Sequence, residues 1–215
     1  AHSMADNSVD QQRPLQRVFA LTIAYDGTRY AGWQSQINAV SVQQKIEQAA
    51  QAMLGQPVSI FGSGRTDAGV HATGQVARFA TQQWPHAAEK LVPALNRHLP
   101  RDIVVCNARE TVREFDPVRS ARSKTYRYTL RRAAYPDPQR YRFQWHFPRP
   151  LDIQAMQEAT LLLLGCHDFA AFQTLGSPRK TTVRTVKRLD LALHSSTIGG
   201  EELRIDIQAD GFLYN

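Results

Sequence analysis

The chain has 215 residues, of which 42% are hydrophobic, enough to bury the core of one large domain or two small ones without disulfides. We expect neither a membrane span nor a secretion signal, because the longest apolar run, residues 161–165, is far too short and no charged-then-apolar leader stands at the start. The formal net charge is +7, and the segment from Arg109 to Arg149, with eleven Lys or Arg against four Asp or Glu, carries a surplus of that whole size. Cys106 and Cys166 stand far apart, outside any Cys-x-x-Cys pairing, so neither a disulfide framework nor a zinc site is indicated; both read as buried thiols of a reducing, cytoplasmic protein.

Residues 1–16 read as a tag remnant and a disordered lead-in. From Arg17 to Tyr25 hydrophobic and other residues alternate, with Phe19, Leu21, Ile23 and Tyr25 on one face, which predicts a strand. Residues 28–38, with Tyr30, Gly32 and Trp33, have no period and are placed in a loop. Ser41 and Gln44 form a capping box ahead of the stripe Val42, Ile46, Ala49, Met53 and Leu54, and Gly55 closes that helix. Strands follow at 58–61 and 74–80, then a helical stretch at 86–96 broken at Pro93, then a strand at 102–108. This order is that of a split β-α-β unit, an antiparallel sheet covered on one face by two helices.

The second half, 113–215, repeats the pattern in part. A strand at 123–132 carries Tyr126, Tyr128 and Leu130 on one face, and 135–150 is an irregular, aromatic excursion. Asp152 caps a helix running to Gly165 with Ile153, Met156, Leu163 and Leu164 inward, and strands follow at 183–193 and 203–209. The last helix and strand of the repeat are missing. The expected fold is therefore α+β, with two ferredoxin-like β-α-β-β-α-β halves, 17–112 and 113–215, their antiparallel sheets side by side around a central cleft and the second half incomplete.

The chemistry concentrates between the predicted second and third strands, in Gly62-Ser63-Gly64-Arg65-Thr66-Asp67-Ala68-Gly69-Val70-His71-Ala72. Three glycines within eight residues allow a tight polar loop. Asp67, two residues after Arg65, fits a carboxylate held in its charged form and used as a nucleophile, with Arg65 and loop amides able to hold a phosphate. The same residues also fit an aspartate that bonds its own turn and pairs with Arg65 on the surface. The basic segment, interleaved with Phe115, Tyr126, Tyr128, Tyr135, Tyr141, Phe143, Trp145 and Phe147, points to a nucleic-acid partner, although most of these aromatics are expected in the core. The histidines have no ligand spacing for a metal, and neither a Walker loop nor a dinucleotide fingerprint is present.

The nine residues from Gly64 to Ala72 resemble the signature of the TruA family of tRNA pseudouridine synthases. Tyr25-Asp26-Gly27-Thr28, Gly32-Trp33-Gln34, Leu95-Asn96, Leu99-Pro100, Thr125-Tyr126-Arg127-Tyr128, His167-Asp168-Phe169 and Gly211-Phe212-Leu213-Tyr214-Asn215 agree with it in order. The resemblance implies an isomerase without cofactor or metal, with Asp67 as nucleophile, Arg65 helping to hold the flipped uridine and Tyr126 stacking on its uracil. It further implies RNA contacts from Phe115, Asp116, Pro117, Val118 and Arg119 and from Gly176, Ser177, Pro178, Arg179 and Lys180. The substrate it implies is the tRNA anticodon stem-loop at positions 38–40, handled by a homodimer. His71 is expected to hold the loop's shape. The family pattern continues past Asn215 to an arginine that pairs with the nucleophile, so a catalytically inactive RNA-binding module is the alternative expectation, with a phosphate-ester hydrolase a weaker third.

Overall fold

The computed structural model describes residues 16–174 and 181–213. The chain divides between Ser120 and Ala121 into two compact units, each α+β with its own sheet. No helix among the described residues is long and apolar enough to cross a membrane.

The first unit runs β1 (Arg17–Tyr25), α1 (Val42–Leu54), β2 (Ile60–Gly62), β3 (Ala72–Thr81), a 3-10 turn at Ala88–Lys90 that leads into α2 (Leu91–Asn96), and β4 (Ile103–Thr111). Its sheet has the order β2-β3-β1-β4 with every pair antiparallel. Alternation puts Phe19, Leu21 and Ile23 of β1 into one cluster with Val42, Ile46 and Ala50 of α1 and Leu91 and Leu95 of α2. Helix α1 starts where the Ser41 hydroxyl accepts the Gln44 N–H and stops at Gly55, whose φ of 72° suits a residue without Cβ. Pro93 does not break its helix as expected. It is the third residue of α2, where the N–H that proline lacks would have no helical partner, and the discontinuity falls earlier, between the 3-10 turn and α2.

The second unit runs β5 (Lys124–Arg132), β6 (Trp145–His146), α3 (Ile153–Leu163), β7 (Gly165–Asp168), β8 (Val183–Ser195) and β9 (Glu201–Ala209), in the sheet order β6-β5-β9-β8-β7. This sheet is mixed, which corrects the expectation of a wholly antiparallel one: β6 pairs parallel to β5, because the excursion after β5 brings the chain back to run beside it in the same direction. Strand β7 is also additional. Its four residues, Gly-Cys-His-Asp, are all exposed and show no hydrophobic alternation to announce a strand. Asp152 caps α3 by accepting the Ala155 N–H at 2.9 Å, yet α3 has no buried residue; Ile153, Met156, Leu163 and Leu164 are only half-buried. Both cysteines are exposed, not buried as expected: Cys106 follows the buried Val105 along β4 and so points to the opposite face, and Cys166 lies on β7.

Candidate active site

The loop from Ser63 to His71 connects β2 to β3 and is held mainly by backbone. Ser63 N–H bonds the Val76 carbonyl at 2.8 Å, Trp33 N–H bonds the Thr66 carbonyl at 3.0 Å, and Gly69 N–H bonds the Tyr30 carbonyl at 3.2 Å. Side chains complete the frame. The Tyr25 hydroxyl lies 2.9 Å from Thr66 Oγ1, and the Gln75 amide donates to the Gly64 carbonyl. The Gly27 N–H lies 3.1 Å from His71 Nδ1, and Asp26 Oδ1 lies 3.1 Å from the same nitrogen. His71 thus fastens the end of the loop to the turn after β1, the shape-holding part expected of it.

Close approach explains the glycines that precede the loop in sequence. A Cβ on Gly27 would stand 2.0 Å from the Val70 carbonyl oxygen, one on Gly32 2.3 Å from the Thr66 carbonyl oxygen, and one on Gly62 2.4 Å from the Trp33 indole nitrogen. Gly32 also has a φ of 91°. The segment after β1 is therefore a cradle into which residues 66–70 fit backbone against backbone.

Within this frame Asp67 and Arg65 are exposed. Among the described residues neither the Asp67 carboxylate nor the Arg65 guanidinium has a hydrogen-bond or ion-pair partner. The Arg65–Asp67 pairing of the local-turn alternative is absent among the described residues, because the loop's shape is set by backbone contacts and leaves both side chains exposed. The local-turn alternative fails on the same geometry, since the turn is closed by the Val70 N–H on the Asp67 backbone carbonyl, not by the carboxylate. A fixed loop that presents an unspent carboxylate and an unspent cation two residues apart can offer a nucleophile and an anion contact together.

In the second unit Tyr126 lies on β5, half-buried, its ring edge-on to Phe212 at 4.8 Å between centroids. Residues 115–119 close the first unit. Asp116 accepts the backbone N–H groups of Val118 at 2.8 Å and Arg119 at 3.1 Å, and these bonds hold its carboxyl below the usual aspartate range. Phe115 is half-buried and Pro117 buried, while Val118 and Arg119 are exposed. The segment Gly176, Ser177, Pro178, Arg179 and Lys180 lies outside the described residues.

Two readings of the basic segment change. None of its eight aromatics is buried, and Tyr128, Tyr135, Tyr141, Phe143 and Trp145 are exposed, because the excursion lies outside the core that alternation implied. Part of the charge is structural. Arg127 makes a bidentate pair with Asp206 at 2.6 Å, Arg132 pairs with Glu201, and Arg140 pairs with the buried Glu202, whose carboxyl is pulled up by burial but more strongly down by Arg204 and Arg140. Arg109, Arg113, Arg122 and Arg149 are exposed with no side-chain hydrogen bond or ion pair among the described residues. The residues that sequence reasoning missed are those acting through packing, Gln75 and Thr66 above all; neither carries a spacing signal.

The family model described as tRNA pseudouridine synthase matches residues 21–117 and 159–215. Among curated relatives, the chain is 45% identical to tRNA pseudouridine synthase A of Pelobacter propionicus, over 93% of this chain and 79% of that one. It is 45% identical to that of Syntrophotalea carbinolica, over 92% and 76%, and 42% identical to that of a Thermoanaerobacter species, over 91% and 78%.

Proposed function

Because the chain belongs to the tRNA pseudouridine synthase family, we propose that it isomerises uridine to pseudouridine at positions 38–40 of the tRNA anticodon stem-loop, with Asp67 as the nucleophile. The observation that carries this reading is the Asp67 carboxylate, without a partner among the described residues, on a loop that is anchored through its backbone and through other side chains. This carboxylate bonds to the sugar C1′ or to a base carbon and the N1–C1′ bond breaks; uracil then turns, C5 bonds to C1′, the bond to Asp67 breaks and returns the free carboxylate, C5 loses its proton and N1 gains one. Bonds and protons balance without any oxidant or reductant. Arg65 holds the displaced nucleotide, and Tyr126 offers a ring face for its uracil, which offsets part of the cost of leaving the stack. Residues 115–119 and 176–180 contact the RNA, the working form is a homodimer, and the enzyme acts in the cytoplasm.

The test uses tRNA transcripts labelled with tritium at uracil C5. Wild-type protein is expected to release label, and transcripts with cytidine at positions 38–40 are expected to abolish release. No release from the labelled tRNA contradicts the activity; undiminished release from the substituted transcripts contradicts the positions.

A further inference from the structure

The proposed chemistry makes no use of residues 133–150, which lie within the stretch 118–158 that the family model does not match. They line a cavity of about 600 Å³ in the second unit. Its wall is rigid on one side: Arg131 is buried, with its guanidinium bonded to the Tyr135 carbonyl, the Ser196 hydroxyl and the Gly199 carbonyl. Asp137 is buried beside the same space and accepts the Gln139 N–H at 2.9 Å. Tyr141 and Trp145 line it and are each 63% exposed.

Gln144 is the unusual member. Both atoms of its side-chain amide are buried, and among the described residues it is the only side chain with buried polar atoms left without a partner. An amide in that state carries its desolvation penalty uncompensated. Neither atom is accessible where it lies, so the amide meets the cavity only after a turn of its side chain; turned, it offers a donor beside an acceptor, and the group that complements it is a planar edge with an acceptor beside a donor. Nucleobase edges have that form, adenine among them, and glutamine pairs with adenine in this bidentate way. Tyr141 and Trp145 supply faces on which an unstacked base can lie. A phosphate is a poor occupant, because it would meet the Asp137 carboxylate.

We propose that this cavity holds one unstacked nucleobase of the RNA substrate, bonded at its edge by Gln144 and stacked on Tyr141 or Trp145. The inference rests on the reading of the chain as an RNA enzyme. Binding turns the Gln144 amide toward the base, and the penalty that the amide carries while buried is what the turn relieves.

The test measures Kd for an unmodified tRNA transcript by filter binding over a range of salt, with melting and sedimentation of each protein. Gln144→Leu and Trp145→Ala are compared with their parent, all carrying Asp67→Asn so that substrate is not consumed. Gln144→Leu is expected to raise Kd about ten-fold with the salt slope unchanged, since a base contact and no phosphate contact is lost. Its melting temperature is expected to equal or exceed the parent's, because an orphaned amide has been removed. An unchanged Kd overturns the proposal, as does a lowered melting temperature, which would mean that the amide is bonded within the fold. A raised Kd that tracks a shift from dimer to monomer also overturns it and makes a second copy of the chain the occupant. Tritium release by wild type with an unchanged Kd removes the cavity's role alone; absent release with a raised Kd removes the Asp67 chemistry alone.

Discussion

Helix α1 of the first unit and helix α3 of the second begin the same way, on a side-chain oxygen that accepts an N–H three residues on, from Ser41 to Gln44 and from Asp152 to Ala155. Both carry apolar residues at helical spacing. Yet α1 buries Val42, Ile46, Ala49 and Ala50, whereas α3 buries none and leaves Leu162 78% exposed. An apolar stripe tells which face of a helix is sticky; whether that face is covered depends on strands contributed from elsewhere in the chain. The Asp67 loop is mounted on the unit whose core is closed.

The sharpest way to break this comparison is truncation of one residue in each helix. Ile46→Ala, at a fully buried site, is expected to cost about 2–5 kcal/mol, and Leu162→Ala to stay within about 0.5 kcal/mol, both from urea unfolding followed by circular dichroism. Equal losses would mean that α3 is covered in solution. A second pair probes the cradle. Gly27→Ala places a methyl group against the Val70 carbonyl and is expected to cost about 1–3 kcal/mol and to lower turnover, whereas Gly74→Ala, whose Cβ would have nothing within 4 Å, should leave both nearly unchanged.

The smallest effect concerns the pair on the second unit's sheet. The bond from Arg127 holds the Asp206 carboxyl below its ordinary range, so its stabilising contribution is complete above about pH 3.9 and is lost as pH falls through the lowered folded value. Because Arg127 is mostly exposed, the contribution is about 0.2–1 kcal/mol. The melting temperatures of wild type and Asp206→Asn should therefore differ slightly at neutral pH and converge in acid. A difference that widens in acid would mean that the pair does not hold in solution.

What the chain order made legible follows the same division. Strand β1 could be placed from its alternation, and Phe19, Leu21, Ile23 and Tyr25 are buried as that face requires, although Val18 and Ala20 on the opposite face are buried too; Ser41 and Gly55 marked both ends of α1. The loop's position and the exposure of Asp67 also followed from glycine and polar content. The absence of an Arg65–Asp67 pair did not, since sequence proximity says nothing about which way side chains leave a backbone fixed by Trp33, Tyr30 and Gly27. Strand β7 and the parallel strand β6 were hidden for a different reason: short, exposed strands have no periodicity, and their pairing partners lie at β8 and β5. The aromatics at 135–145 read as core because aromatic residues usually are, and only tertiary contacts could place them at the surface.

The central claim is that the first unit's loop is a rigid mount for one chemically free carboxylate. Asp67→Asn tests it when tritium release from labelled tRNA and melting temperature are measured on the same preparation. The account predicts release reduced at least about a thousand-fold with stability within about 0.5 kcal/mol of wild type, since a nucleophile is lost and no structural contact is. Release that survives the substitution, or falls only in step with a lost fold, would contradict it.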